Sequence, residues 1–219
     1  MALIVTQDGS HSVYSEHFGV TYHSRYGAVT ESLHVFIGAG LRFKAAVQPQ
    51  VSVLEVGFGT GLNAFLTWLE AERRGLTVRY TGIEVSPLAP EEAAVFNYAA
   101  CLGQPERQTD FCRLHTCAWE RVVRLSEHFW LRKKQMPVQA YRATSAFDVI
   151  YFDAFAPQAQ PEMWTETIFR AMYRALRPEG LLVTYCAKGD VKRTLRSVGF
   201  EVEGLPGPPG KREMTRAWK

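Results

Sequence analysis

Cysteine is scarce in this sequence: four among 219 residues, at Cys101, Cys112, Cys117 and Cys186, with no C-x-x-C pair. The spacing excludes a disulfide scaffold and reads as free thiols in a reducing compartment. His115, between Cys112 and Cys117, invites a zinc site, but a second ligand pair is missing, so no metal is expected. Long apolar runs are missing too. Nothing approaches the ~20 residues that cross a bilayer, and residues 1–12 lack the cationic and then apolar pattern of a signal peptide. The expected setting is therefore cytoplasmic, without membrane contact. Charge of one sign is not in excess: the net is +3, which permits polyanion binding without announcing it. No internal repeat is found, and no linker long enough to split the chain.

What is present suits one α/β domain with a full-sized core, hydrophobic residues making up 47% and charged ones 21%. Basic residues cluster in two places. Between Arg121 and Arg142 there are six against one acid, Glu127; from Lys188 to Lys219 there are eight against four acids. A solvated helix face and a nucleic-acid surface account for such clusters equally well.

The stretch that organises the chain is 51–63. Val51, Val53, Leu54 and Val56 form a short β-branched apolar run, the pattern of a buried parallel strand. Gly57, Gly59 and Gly61 let the chain turn tightly and approach a ligand. Leu62, Phe65, Leu66 and Leu69 then repeat at helical spacing, with Gly75 as the stop. Strand, glycine turn and helix together make a nucleotide-type site. A dinucleotide such as NAD is the usual reading of a glycine-rich turn. Here Glu55 precedes the first glycine by two residues, the arrangement that resembles the first motif of class I S-adenosylmethionine methyltransferases, where an acid faces the cationic methionine end of the cofactor.

Along the rest of the chain, residues 13–41 hold two β-rich runs around a glycine turn and are expected to form a hairpin, either a cover for the sheet or a lid that touches substrate. Val78 to Glu84 is the second strand. Its closing Glu84 lies 27 residues after Gly57, near the interval at which such folds place an acid on ribose hydroxyls. A helix is expected from Ser86 to Ala100, a helical stretch from Trp119 to Leu125 and a third strand at Phe129 to Arg132. Phe147 to Asp153 reads as a buried strand ending in an acid, where a doubly wound sheet turns a polar residue towards the crevice. Pro157 and Pro161 stiffen the loop that follows.

Three stretches together, Gly57-Phe58-Gly59-Thr60-Gly61-Leu62-Asn63, Asp153-Ala154-Phe155-Ala156-Pro157 with Pro161-Glu162-Met163-Trp164, and Gly210-Lys211-Arg212-Glu213-Met214, resemble the MnmD-type tRNA methyltransferases. That domain is fused in some bacteria to a flavin oxidoreductase. The likeness runs from Tyr14 to Ala217. It implies a class I S-adenosylmethionine-dependent methyltransferase, Rossmann-like, with a mostly parallel seven-stranded sheet at 47–219 and a β-rich N-terminal extension or lid at 1–46. It also implies S-adenosylmethionine as cofactor, held by Glu55, Gly57, Phe58, Gly59, Thr60, Gly61, Asn63 and Glu84, with Asp153 catalytic. The implied substrate is 5-aminomethyl-2-thiouridine in a tRNA anticodon loop, methylated to 5-methylaminomethyl-2-thiouridine, the amine coming from a separate flavin oxidoreductase upstream. Ala154 replaces the family's usual glycine. Lys133-Lys134-Gln135 stands where an adenine-binding Asp is common, which leaves that contact unassigned.

An unperturbed Asp, with pKa near 3.9, is a poor acceptor for an ammonium proton, so Asp153 is expected to orient the amine and stabilise the charged product. Lys211 and Arg212 are candidate phosphate ligands, and Phe155, Pro157 and Tyr26 candidate contacts for the extruded base; Trp164 is better placed in the core. Two rivals stand beside this reading. One is an aminopropyltransferase of the spermidine-synthase kind, the other an RNA-binding module without catalysis.

Overall fold

A computed structural model describes residues 2–219. The N-terminal strands β1 (Ala2–Val5), β2 (His11–Ser15) and β3 (Val20–Thr21) form a small antiparallel sheet. The main sheet holds β4 (Gln50–Val56), β5 (Thr77–Glu84), β6 (Val122–Arg124), β7 (Phe129–Gln135), β8 (Phe147–Phe152), β9 (Leu176–Thr184), β10 (Glu201–Pro206) and β11 (Glu213–Trp218), in the order β10-β11-β9-β8-β4-β5-β7-β6. The five strands from β9 through β8, β4 and β5 to β7 run parallel. The β10–β11 hairpin closes one edge antiparallel and β6 the other. The mostly parallel α/β sheet expected from sequence is present, with β6 as an eighth, three-residue edge strand.

Both faces of the β4–β8 core read as apolar strands because both are covered. Helices 28–45, Leu62–Arg74 and Gln108–Thr116 pack on one face; Glu166–Ala175 and Gly189–Ser197 pack on the other. The connections from β4 lead towards β5 and β7 on one side, while β8 and β9 extend the sheet on the other. The carboxyl ends of β4 and β8 therefore flank the point where strand order reverses, which is where open α/β sheets bind ligands.

Three expectations are corrected. Val29–Ile37 is not the second arm of a hairpin but part of a continuous helix, 28–45, wound with the wider π geometry from Leu33 to Arg42. Its β-branched residues suggested a strand, yet Val29, Leu33, Phe36, Ile37 and Leu41 recur at helical spacing and bury one stripe against the sheet. The segment 1–46 is thus β-rich only as far as Thr21. Trp119–Leu125 is not helical: Glu120 takes a left-handed backbone (φ 63°), and the β-branched pair Val122-Val123 folds back along β7. Ser86–Ala100 is two short helices, Pro90–Ala93 and Tyr98–Cys101. Between them Asn97 accepts from the His11 N–H at 2.9 Å and donates to the Gly9 carbonyl at 2.9 Å, so its amide pins the small sheet in place.

Candidate active site

The bend after β4 is fixed by what lies beside it. Gly57 has φ 89°, and a Cβ there would stand 2.7 Å from the Asp153 carbonyl, so only glycine lets the ends of β4 and β8 lie this close. The Gly57 and Phe58 N–H groups both donate to the Ile83 carbonyl, at 3.0 and 3.1 Å, which ties the bend to β5. Gly59, at φ 49°, presents its own N–H to Glu84 Oε2 at 2.9 Å. Glu84 Oε1 accepts from the N–H groups of Val85 and Ser86, each at 2.9 Å. Three backbone donors thus lock this carboxylate before any ligand arrives.

A cavity of about 380 Å³ opens between the bend, β8 and the N-terminal strands. Eight of the residues read from sequence line it: Gly57, Phe58, Gly59, Thr60, Asn63, Glu84, Asp153 and Phe155. Other residues from that set lie elsewhere. Gly61 caps the helix Leu62–Arg74 in a left-handed conformation, behind the wall. Pro157 is outside the lining. Tyr26 is half exposed and lies against Gly210, where a Cβ would collide with its ring. Arg212 is exposed. Lys211 is turned inward: its Nζ meets Glu31 Oε2 at 2.5 Å and sits 3.9 Å from the centre of the Tyr185 ring.

Glu55 is also behind the wall, 1% exposed. Asn63 Nδ2 bridges two carboxyls, donating to Glu55 Oε1 at 2.9 Å and Asp153 Oδ2 at 2.8 Å. Glu55 Oε2 is buried without a partner; Tyr80 lies close by, but its hydroxyl does not reach hydrogen-bonding geometry. Burial pushes the Glu55 carboxyl well above the ordinary carboxylate range, which favours the neutral acid, against the lowering effect of the Asn63 bond. Asp153 is moved in the same direction. Burial, aided by the charge of Glu31, raises it to about 7, while Asn63 and Lys211 hold it back. In this setting Asp153 is a stronger base than the unperturbed carboxylate expected from sequence.

The sequence reading missed the aromatic wall. Phe155 packs on Phe18 with centroids 4.5 Å apart and meets Tyr22 edge-on at 5.0 Å. Phe18 and Tyr22 come from the segment around β3, so the N-terminal strands supply one side of the cleft. His17 and His23 join them. The His23 Nδ1 lies 3.0 Å from Ser12 Oγ, and burial lowers its pKa to about 4. Beyond Glu84 the wall is Met136, Pro137, Val138 and Gln139, apolar except for the last amide. The nearby lysines face away from it: Lys133 Nζ is buried on the His115 carbonyl at 2.7 Å, and Lys134 pairs with Glu120. Trp164 is core, as expected, with its indole N–H on the Phe155 carbonyl at 2.8 Å. No group of three or more His, Cys, Asp or Glu among the described residues is placed to hold a metal. No helix among them is long and apolar enough to cross a membrane.

Comparison with known proteins adds to this geometry. A family profile described as S-adenosyl-L-methionine-dependent methyltransferase matches residues 128–219. The Cupriavidus necator protein named tRNA 5-methylaminomethyl-2-thiouridine biosynthesis bifunctional protein MnmC is 35% identical over 93% of this chain. The match covers 32% of that relative, so the chain spans about a third of its length. Among solved structures, MnmC2 from Aquifex aeolicus superposes with a TM-score of 0.79 at 23% identity, over 98% of this chain and 68% of that one. An S-adenosylmethionine-bound amino pentose methyltransferase from Micromonospora echinaspora superposes at 0.55 and 13% identity, over 89% and 92%. At these identities the structures speak for the fold. Fold and family profile together define an S-adenosylmethionine-dependent methyltransferase of class I. Within that class the chain is similar to the MnmC proteins, 33–35% identical over nearly all of its own length, which is the resemblance its three motifs carry.

Proposed function

We propose that this domain methylates the exocyclic amine of an aminomethyl-modified wobble uridine in tRNA, converting 5-aminomethyl-2-thiouridine to 5-methylaminomethyl-2-thiouridine. The observation that carries the reading is Asp153: a carboxyl with a pKa of about 7, held by Asn63 on the wall of an aromatic-lined cavity. An amine is a nucleophile only when neutral, so its site needs a proton acceptor. A flat base needs aromatic faces, which Phe155, Phe18 and Tyr22 offer.

The cavity fits S-adenosylmethionine on structural grounds. A Cβ at Gly57 would strike the Asp153 carbonyl and one at Gly59 would stand against the Tyr22 ring, and Glu84 is locked with acceptor capacity left on Oε2 for one hydroxyl. Met136, Pro137 and Val138 form an apolar shelf for the adenine, which needs no Asp at Lys133-Lys134-Gln135. When bound, the cofactor supplies a methyl group on a sulfonium centre and leaves as S-adenosylhomocysteine. The residues of the chain do the rest. Asp153 takes one proton from the substrate ammonium, for which the lysine value of about 10.4 serves as the upper reference. The gap of about 3 units costs ~4–5 kcal/mol, far less than transfer to an unperturbed carboxylate. Asn63 holds Asp153 at the cavity wall through Oδ2, and the Phe18–Tyr22–Phe155 wall excludes water. The product amine stays protonated, so one proton is released per turnover. A flavin oxidoreductase acting earlier supplies the aminomethyl group.

The test is incubation of tRNA lacking the final methyl group with the protein and methyl-labelled cofactor, followed by nucleoside analysis. Label in methylaminomethyl-thiouridine is the expected result; unlabelled tRNA would end the proposal. Putrescine with decarboxylated cofactor, run alongside, gives product only if the chain is an aminopropyltransferase.

A further inference from the structure

With Lys211 committed to Glu31, the phosphates of a tRNA must be met elsewhere. The basic cluster Arg121–Arg142 has no role in the crevice, and β5, β7 and β6 show where part of it goes. Strand alternation puts Val78 and Tyr80 on the helix-covered face and Arg79 and Thr81 on the other. The register pairs Ser52 with Arg79, Arg79 with Trp130, and Trp130 with Arg124, so these four share one row across β4, β5, β7 and β6. The next row holds Thr81, Arg132 and Val122.

Among the described residues no helix covers the amino-terminal half of this face, because the connection from β7 to β8 contains a single short turn at Val138–Ala140. A groove of about 750 Å³ lies there, lined by Arg79, Trp130, Arg132 and Arg177 among others. Its residues are not those of a surface waiting for a missing helix, which would be apolar. Arg177 is neutralised by Asp148 at 2.8 Å. Among the described residues, Arg79, Arg124 and Arg132 have no carboxylate partner, and the shielded Nε of Arg132 has no partner of any kind. Arg124 lies 5.3 Å from the centre of the Trp130 ring, leaving an indole flanked by guanidinium groups. Strands about 4.8 Å apart put Arg79 and Arg124 roughly 10 Å from each other across Trp130.

We propose that this groove is a second contact surface for the RNA substrate, taking a stretch of its phosphodiester backbone remote from the modified base. The inference rests on the tRNA reading above and extends it. Gly57 lies five residues beyond Ser52, or roughly 16 Å along the strand, so a substrate reaching both places must be longer than a nucleoside. A folded RNA meets that requirement. Guanidinium groups without a carboxylate partner beside an indole favour phosphate and base over a protein surface.

The test compares wild type with Arg79→Glu/Arg124→Glu, a change at two exposed positions, and with Arg132→Gln. Calorimetry with S-adenosylmethionine checks that each variant keeps its fold. Binding of unmodified tRNA transcript is then measured across a salt series. The charge reversal is expected to weaken binding at least 10-fold and to lower the salt slope by about two contacts, with Arg132→Gln lowering it by about one. Turnover of a short modified anticodon-loop oligonucleotide is expected to stay at the wild-type rate. RNA affinity and slope equal to wild type in the double variant would overturn the surface, even if tRNA is methylated normally. A lost RNA affinity in a protein whose wild type methylates no tRNA would keep the surface and remove the assigned reaction.

Discussion

Gly57, Gly59 and Glu84, which form the bend side of the crevice, lie within 27 positions of one another on adjacent parallel strands, with their bonds made by backbone N–H groups. The opposite side draws Phe18 and Tyr22 from one end of the chain and Asp153 and Phe155 from much further along it, with the Glu31–Lys211 pair, outside the lining, acting on Asp153 by charge. The first side is rigid because a strand and a turn dictate it. The second is held by side chains meeting across up to 180 residues of sequence, as Glu31 and Lys211 do. Local backbone design suits a ligand that never changes; long-range assembly suits a substrate that must be admitted, deprotonated and released.

The sharpest way to separate the two sides is to remove one carboxylate from each. Asp153→Ala should lose about 10³-fold in turnover, the scale of a lost proton acceptor, while S-adenosylmethionine affinity measured by calorimetry stays within a few-fold. A variant with wild-type turnover would take Asp153 out of the chemistry. Glu84→Ala should do the reverse. Losing a hydrogen bond to a charged acceptor, at about 1.5–3 kcal/mol, predicts roughly 10- to 100-fold weaker cofactor binding with kcat recovered at saturation. If kcat collapses instead, the two sides do not divide the work as described.

The same contrast governs what could be read in the sequence. The bend, Glu84 and Asp153 were legible because strand ends and glycine turns are local patterns. The aromatic wall was not, since Phe18 and Tyr22 face the crevice only once β2 and β3 fold over it. Helix 28–45 was misread because β-branched residues suggest a strand until their burial partners are known. Lys211 looked like a phosphate ligand for want of a visible partner; tertiary folding supplies Glu31 and Tyr185.

A milder probe leaves every contact residue in place and changes only charge. As an acceptor Asp153 works ionised, and its raised pKa means the competent fraction falls as pH drops through about 7. The acid limb of kcat/KM should therefore have its midpoint near 7. The groups facing Asp153 are Glu31, Lys211 and Asn63, with Glu55 and Tyr185 nearby. Glu31→Gln removes a charge that raises the pKa, so the midpoint should move down; Lys211→Met removes one that lowers it, so the midpoint should move up. Shifts of opposite sign cannot come from a general loosening of the fold. Two variants with the same unshifted limb would show that this pair does not act on Asp153.

The smallest expected effect is the most informative about the bend side. An acid two residues before the first glycine invites the role of a charged cofactor ligand, and Glu55 occupies that position. Its carboxyl is buried, lies outside the cavity lining and is driven towards the neutral form, with one oxygen accepting from Asn63 and the other unpartnered. A neutral acid and an amide have the same shape and nearly the same acceptor. Glu55→Gln should thus keep the Asn63 bond, leave S-adenosylmethionine affinity within about 3-fold and preserve the orientation of Asp153 through the shared amide. Glu55→Ala, by contrast, removes one of the two acceptors that hold the Asn63 amide and should lower turnover more than affinity. A 100-fold loss of cofactor affinity in Glu55→Gln would mean that Glu55 is ionised and acts on the cofactor as a charge. Long-range electrostatics would then govern the bend side, and the contrast between a side set by backbone and a side set by side chains would fail where it looks strongest.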